Sequence, residues 1–241
     1  MQTISIIIPC YNEEKRLPTT LENWQKFLDE WNSKEFKILE IIVIDDGSTD
    51  KTSQIADFYK KYLPIKIIKI SPNKGKGNAV REGVKNSFGD FIFIYDADSA
   101  TPVQEIEKLL LQSKNFDIII GSRTLKNSKA EMSIKRKFIG KCFHLFCFLL
   151  LPKIKDASCG AKLFKTNIAK KIFEMQKINR FAFDIEILWL AKKMHFKIKE
   201  VGVVWKEIPG SKVSLVKDST EMFFAVLELY KKNISNKIKK L

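Results

Sequence analysis

The chain has 241 residues and carries 43 Lys and Arg against 28 Asp and Glu, a formal net charge of +15. That length and a 45% hydrophobic content describe a globular protein with a sizeable core, as one large domain or two small ones, and exclude a disordered or fibrous chain. The charge asks for an anionic partner, whether nucleic acid, a membrane surface or a phosphorylated substrate; the four cysteines form no CxxC pair, which argues against a zinc site or a disulfide framework and for a reducing compartment.

In chain order, Thr3–Ile8 reads as a strand stopped by Pro9, with no signal peptide before it. Leu17, Leu21, Trp24, Leu28 and Trp31 mark one face of a helix, and Pro18 suits its first turn. Leu39–Ile44 is a second apolar strand, ending in Asp45-Asp46-Gly47-Ser48-Thr49-Asp50. A helix through Ile55, Tyr59 and Tyr62 follows, capped by Ser48 or Thr49, and then a strand over Ile65–Ile70. Asn73-Lys74-Gly75-Lys76-Gly77 leads into a helix around Ala79–Asn86. Phe91–Tyr95 is the most apolar strand and runs straight into Asp96-Ala97-Asp98. A helix over Pro102–Gln112 and a strand over Phe116–Ile120, ending Gly121-Ser122-Arg123, complete the first half. Residues 124–133 are polar and read as a loop; an apolar stripe with basic flanks runs from Phe138 to Leu151. Lys155–Phe164 gives a turn and a short strand, Thr166–Lys177 a helix, and Arg180–Glu186 the approach to a helix ending at Met194. Ile198–Lys206 reads as one strand by alternation, and the tail from Lys217 as a basic amphipathic helix.

Strands alternating with helices predict an α/β fold, a mostly parallel sheet with helices on both faces. Such a sheet binds ligands beyond the carboxyl ends of its strands. Four of the first five strands end in polar clusters, around Tyr11-Asn12-Glu13, Asp45-Asp46, Asp96/Asp98 and Ser122-Arg123, and all would gather at that edge. Asp45 or Asp46 can accept hydrogen bonds from a base or ribose. The Lys74–Gly77 loop offers backbone amides and charge to phosphate near a helix start. Asp96 and Asp98 point the same way if their strand continues, and two carboxylates so close repel unless a cation lies between them. Oxygen ligands of this kind favour Mg²⁺, Mn²⁺ or Ca²⁺, and such an ion would bridge two phosphates and stabilise a departing nucleoside diphosphate.

The segments Ile7–Glu14, Val43–Asp50, Asn73–Gly77 and Asp96-Ala97-Asp98 resemble a family 2 glycosyltransferase of the GT-A fold. Gly121-Ser122-Arg123, Lys155–Phe164, Arg180–Glu186 and Trp205–Lys212 are similar to the dolichyl-phosphate β-glucosyltransferases. The resemblance implies inverting transfer of a hexose, glucose from UDP-glucose, to a polyprenyl phosphate, with Mg²⁺ or Mn²⁺ as cofactor. It implies that Pro9, Tyr11, Glu13, Asp46 and Lys76 contact the nucleotide sugar, with Asp45 beside them, and that Asp96 and Asp98 hold the metal. Arg123 would meet the phosphates, Arg136 the acceptor phosphate, and Lys212 would close over the diphosphate. Asp184 stands where the superfamily places an acid beside the acceptor; since a phosphate acceptor needs no deprotonation, its expected role is orientation and not obligatory base catalysis. Asp98, Asp184 and Arg123 are the expected catalytic centre.

Mannosyl relatives carry Gln where Ala100 stands, which favours the glucosyl branch; transfer of mannose or another sugar is the alternative. The implied organisation is one domain, with residues 1–123 binding the nucleotide sugar, residues 124–216 the acceptor, and residues 217–241 forming the basic C-terminal helix. The segment from Phe138 to Leu151 rises about 21 Å as a helix against roughly 30 Å of hydrocarbon, too short to span. It and the tail are expected to lie in an anionic membrane interface at the cytoplasmic face. The eukaryotic enzymes' N-terminal anchor has no counterpart in this sequence, which implies a prokaryotic relative. A non-catalytic membrane or nucleic-acid binder fits the charge alone; nucleic acid is not an expected partner, because acids at successive strand ends would repel a polyphosphate.

Overall fold

A computed structural model describes residues 1–134, 140, 145–148, 150–210 and 217–238, without the side chains of 217–219 and 232–238. Arg136 and Lys212, expected at the acceptor phosphate and over the diphosphate, lie outside the described residues.

The central sheet has seven strands in the order β3-β2-β1-β4-β7-β5-β8. They are β1 (Gln2–Cys10), β2 (Phe36–Asp45), β3 (Ile65–Lys69), β4 (Phe91–Ile94), β5 (Ile118–Ser122), β7 (Lys162–Lys165) and β8 (Ile198–Gly202). Two short strands, β6 (Lys129–Glu131) and β9 (Val204–Lys206), pair separately. The helices are α1 (Leu17–Glu30), α2 (Thr52–Tyr59), α3 (Lys76–Lys85), α4 (Glu105–Leu110), α5 (Thr166–Met175), α6 (Phe183–Lys193) and α7 (Lys217–Ile238).

The strands read as unbroken apolar runs because both faces of the sheet are covered. Side chains alternate between the faces. Ile4, Ile6, Ile8, Phe91 and Phe93 pack with Leu17, Leu21 and Trp24 of α1, while Ile7, Ile42, Ile44, Ile92 and Ile94 pack with α3, α5 and α6. Each such side chain contributes roughly 1.5–3 kcal/mol by leaving water. Trp24 stands edge-on to Tyr95, with ring centroids 5.3 Å apart, and so ties α1 to the end of β4.

Three expectations need correction. Pro9 does not stop β1, which continues to Cys10. The Ile7 carbonyl accepts from Tyr95 on the β4 side and the Cys10 carbonyl from Asp46 on the β2 side, so Pro9 faces the β4 side beyond the last β4 bond, where no N–H is required. Residues 124–133 contain β6. Ile198–Lys206 is two strands: β8 follows β5 as far as Gly202, then Lys129 donates to the Val203 carbonyl and the chain crosses to β6. The short strand β7 inserts antiparallel between β4 and β5, which are therefore not neighbours.

The first three strands step outward in one direction from β1, and β4 lies on its other side. The carboxyl ends of β1 and β4 therefore flank the topological switch point, where an open α/β sheet leaves a crevice.

Candidate active site

The loops after β1 and β2 form one layer. Asn12, at φ +53°, accepts from the Thr49 amide and donates its own amide to Ser48 Oγ; the Glu13 amide donates to Thr52 Oγ1, and the Glu14 amide to Asp50. Tyr11 is 40% exposed, and Pro9 is buried. The Glu13 carboxylate accepts Arg16 Nε at 2.7 Å and Nη2 at 2.5 Å.

Asp45 and Asp46 are buried and bonded within the protein. Asp45 accepts from the Ser48 amide at 2.9 Å and from the Ser53 hydroxyl. Asp46 accepts the Lys74 amide at 2.9 Å, the Gly75 amide at 2.7 Å and Asn73 Nδ2 at 2.8 Å. Burial raises the Asp46 pKa, and these amide bonds oppose the shift without cancelling it. The Lys74 and Gly75 amides are therefore spent on Asp46 and not on phosphate, while Lys76 brings its charge to the site. Gly75 allows the turn: its φ is +98°, and a Cβ there would lie 2.6 Å from the Asn179 carbonyl oxygen.

Lys76 opens α3 and points its ammonium at Asp96 Oδ1, 2.5 Å away. Burial works against that charge, but Asp96 and then Asp184 outweigh it and raise the Lys76 pKa. Asp96 is held low in turn: burial opposes its ionisation, and Lys76 prevails. β4 ends at Ile94, so Asp96 and Asp98 do not continue a strand as expected; they occupy a turn in which Ser99 has φ +52°. Thr20 of α1 anchors this turn by donating to the Ala97 carbonyl at 2.7 Å and accepting from Ser99 Oγ at 2.9 Å. Asp98 Oδ1 accepts the Ala100 amide at 3.0 Å, and Oδ2 faces Arg16 at 3.8 Å, beyond hydrogen-bond reach. Burial and the Asp96 charge push the Asp98 pKa up, and the Ala100 amide, Arg16 and Lys76 oppose the shift without cancelling it.

The second half supplies the other wall. Arg123, at the end of β5, donates Nε and Nη2 to the two oxygens of Asp156, each at 2.7 Å, and Nη2 also to Ser158 Oγ at 3.1 Å. Its guanidinium lies 5.4 Å from the Trp205 ring centroid. Burial disfavours the charge, yet Asp156 raises the Arg123 pKa. Asp184, in the first turn of α6, accepts Lys162 Nζ at 2.7 Å, and Lys162 also donates to the Cys159 carbonyl. Gly160 lies against Asp96, for a Cβ there would meet Asp96 Oδ2 at 2.0 Å.

The structure thus brings Asp96, Asp98, Lys76, Arg123 and Asp184 to one edge and charges it with half-buried Lys76 and Arg123 and buried Lys162. Arg16, Asp156, Gly160 and Lys162 belong to this centre and were not expected. Lys162 left a signal in the sequence, as a single charge in the apolar run Gly160-Ala161-Lys162-Leu163-Phe164. Asp156 left none, since an acid in a polar turn is commonplace.

Asp96 and Asp98 fit a divalent cation. They are hard oxygen donors one residue apart in sequence, and Asp98 Oδ2 has Arg16 no nearer than 3.8 Å, beyond hydrogen-bond reach. Among the described residues no third His, Cys, Asp or Glu joins them. Mg²⁺ and Mn²⁺ commonly complete such a site with water and substrate phosphate.

The profile of glycosyl transferase family 2 matches residues 5–173. The chain belongs to this family. The transferase is 40% identical over 232 residues to dolichyl-phosphate beta-glucosyltransferase of Dictyostelium discoideum, covering 91% of this chain and 71% of that one. The mouse protein of the same name is 40% identical over 224 residues (87% and 69% covered), and the Saccharomyces cerevisiae protein 36% over 243 residues (91% and 71%). These relatives are eukaryotic, and the expected prokaryotic source gains no support from them. In fold, the transferase matches mannosyl-3-phosphoglycerate synthase from Rubrobacter xylanophilus, with TM-score 0.72, 14% identity, and 99% and 75% of the two chains covered. It also matches glucosyl-3-phosphoglycerate synthase from Mycobacterium tuberculosis, crystallised with Mn²⁺, UDP and phosphoglyceric acid, with TM-score 0.69, 14% identity, and 94% and 76% covered. The sheet order and these neighbours make the fold GT-A. Among the described residues no helix is long and apolar enough to cross a membrane.

Proposed function

We propose that the transferase moves glucose from UDP-glucose to a polyprenyl phosphate of the dolichyl type, with inversion, at an anionic membrane surface. The observation that carries this reading is the pair of half-buried cations, Lys76 and Arg123, whose charges act on Asp96 at the switch point. A phosphate acceptor is already anionic, so the difficulty of the reaction is bringing two phosphate-bearing substrates together, and fixed cations address that difficulty. The relatives named for the same reaction supply the sugar and the lipid.

In this reading Tyr11, Pro9 and Glu13 border the nucleotide, and Asp45 and Asp46 shape the loops on which it rests. A divalent ion held by Asp96 and Asp98 would neutralise charge growing on the departing diphosphate. Lys76 stands within reach of the same diphosphate. Arg123, aimed by Asp156, meets phosphate. An oxygen of the acceptor phosphate attacks the anomeric carbon, the bond from that carbon to the diphosphate breaks, and UDP leaves. Asp184 removes no proton; bonded to Lys162, it orients sugar or acceptor.

The test is incubation of the protein with radiolabelled UDP-glucose, polyprenyl phosphate and Mg²⁺ or Mn²⁺, followed by organic extraction. Label is expected in the organic phase, with UDP-sugars and not GDP-sugars competing. Label that stays aqueous, or that enters only from GDP-mannose, rejects the glucosyl assignment.

The membrane part rests on the far end of the chain. Val226 and Leu229 of α7 are buried in the core, so that stripe is not wholly membrane-facing as the sequence implied. Phe146 stacks on Phe223 of α7, with centroids 4.5 Å apart, and joins residues 145–148 to the helix. Beside this joint Leu145 is 76% and Phe224 65% exposed. Exposed large apolar side chains close to lysines suit an interface. Phe224→Ser is expected to weaken co-sedimentation with vesicles containing anionic lipid by about tenfold, the worth of one lost aromatic insertion. Its melting temperature is expected to hold, because the ring is exposed. Unchanged vesicle binding removes this face from the proposal.

A further inference from the structure

We infer that Lys162 is a positioning residue of the transfer reaction, holding the Asp184 carboxylate in one orientation against the reacting sugar. The inference rests on the transfer reading above and extends it to a residue outside the expected catalytic set.

Strand direction makes the placement possible. β7 runs antiparallel to β4 and β5, so its first residue, Lys162, lies at the carboxyl edge of its neighbours, opposite Ile94 and Ile120. A lysine at the start of a parallel strand would sit at the other edge, away from the crevice. Lys162 is 1% exposed, and its ammonium donates to the Cys159 carbonyl and to Asp184 Oδ1 at 2.7 Å. Asp184 is itself buried, in the first turn of α6, where the helix dipole adds to the preference for a negative charge. The other ammonium that bears on Asp184 is Lys76 from α3, which is bonded to Asp96.

The segment around Lys162 does similar work for two other groups. Asp156 and Ser158 aim Arg123, and Gly160 borders Asp96. Residues 156–162 thus set the positions of three members of the centre, and Lys162 is the contact that acts on the third. Stability alone does not call for a buried charged pair, because an apolar pair of similar volume often serves as well or better. An apolar pair cannot hold a carboxylate in a fixed orientation beside a substrate. Oδ1 is engaged by Lys162; Oδ2 is the oxygen assigned to a hydroxyl of the sugar.

The experiment compares Lys162→Met, Asp184→Asn and the double variant in transfer assays, together with calorimetric UDP binding in the presence of Mn²⁺. Lys162→Met is expected to lower kcat by about 10²-fold, the scale of a small misplacement at a reacting centre, while KM for UDP-glucose and the Kd for UDP stay within about twofold. Asp184→Asn is expected to behave likewise. The double variant is expected to be no slower than the slower single, because both changes remove one and the same constraint. Multiplying losses, or a Lys162→Met kcat within about threefold of wild type, would overturn the inference. If Lys162→Met does not fold, the double variant, which leaves no lone buried charge, is compared with Asp184→Asn. Equal kcat supports the inference, and a double variant about tenfold slower sinks it. Wild-type donor choice is scored first. Transfer from a different nucleotide sugar rejects the glucosyl reading alone, and Lys162 is then judged with that donor; no transfer from any nucleotide sugar rejects both.

Discussion

Gly160→Ala is expected to lower transfer by on the order of 10²–10³-fold while leaving the fold intact. The added methyl would lie 2.0 Å from Asp96 Oδ2, 2.4 Å from its Cγ and 2.8 Å from Oδ1. No heavy atoms coexist at such separations, so one side must yield. The obstacle is the end of a side chain and not backbone, so the carboxylate gives way at little cost to the sheet. It cannot move without loosening the 2.5 Å contact with Lys76 and leaving the place from which it would share a cation with Asp98. The result is a folded protein with a displaced Asp96. Asp98→Ala, which deletes the other carboxylate, calibrates the effect and is expected to lose transfer to at least the same extent. The measurements are kcat, Mn²⁺-dependent UDP binding and the melting temperature. A Gly160→Ala protein that turns over like wild type would show that the position of Asp96 is not critical. One that melts far below wild type would show that the backbone, and not the carboxylate, had yielded.

The sequence disclosed the frame of this site more fully than its wiring. The parallel strands were legible because burial on both faces writes them as runs such as Ile41-Ile42-Val43-Ile44, and the acids at their ends were legible because polar residues interrupt those runs abruptly. Their gathering at one edge followed from strand direction alone. What stayed hidden were pairings between residues far apart in the chain. Arg123 meets Asp156, and Lys162 meets Asp184, across segments whose separation carries no period that a pattern could reveal. The antiparallel course of β7 was hidden for the same reason: four residues, Lys162–Lys165, show an apolar stretch but not a direction. Asp46 shows a different limit. A carboxylate at a strand end reads equally well as a ligand-binding group or as an organiser of its own loop, and only the amides of Lys74 and Gly75 distinguish the two. The α7 stripe shows the same limit: an apolar helix face is identical in sequence whether it meets lipid or core, and here Val226 and Leu229 meet the core.

Asp156→Asn is expected to cost about 3–5 kcal/mol of stability at neutral pH, because it strands the largely buried Arg123 guanidinium without its counter-charge. For a chain of this size roughly 2–4 °C is lost per kcal/mol, so the melting temperature should fall by at least about 6 °C. The pH dependence has a definite sign. Burial alone would raise the Asp156 pKa, but the Arg123 charge and hydrogen bonds outweigh it and hold the carboxyl below its ordinary value. A group depressed in the folded state contributes stability above its unfolded pKa, about 3.9, and loses it as pH falls through the lower folded value. The stability gap between wild type and Asp156→Asn should therefore be constant from neutrality down to about pH 4 and narrow only below it. Denaturant melts at a series of pH values measure this gap directly. Equal stability at neutral pH, or a gap already closing near pH 6, would mean that Arg123 does not depend on Asp156. Transfer should fall as well, and for a separable reason. The two parallel bonds to Asp156 fix the plane of the guanidinium, and an amide, which offers one acceptor oxygen and an N–H₂ in place of the second, cannot reproduce that fork. An Arg123 freed to turn toward solvent would leave the phosphates without their aimed cation even in those molecules that remain folded.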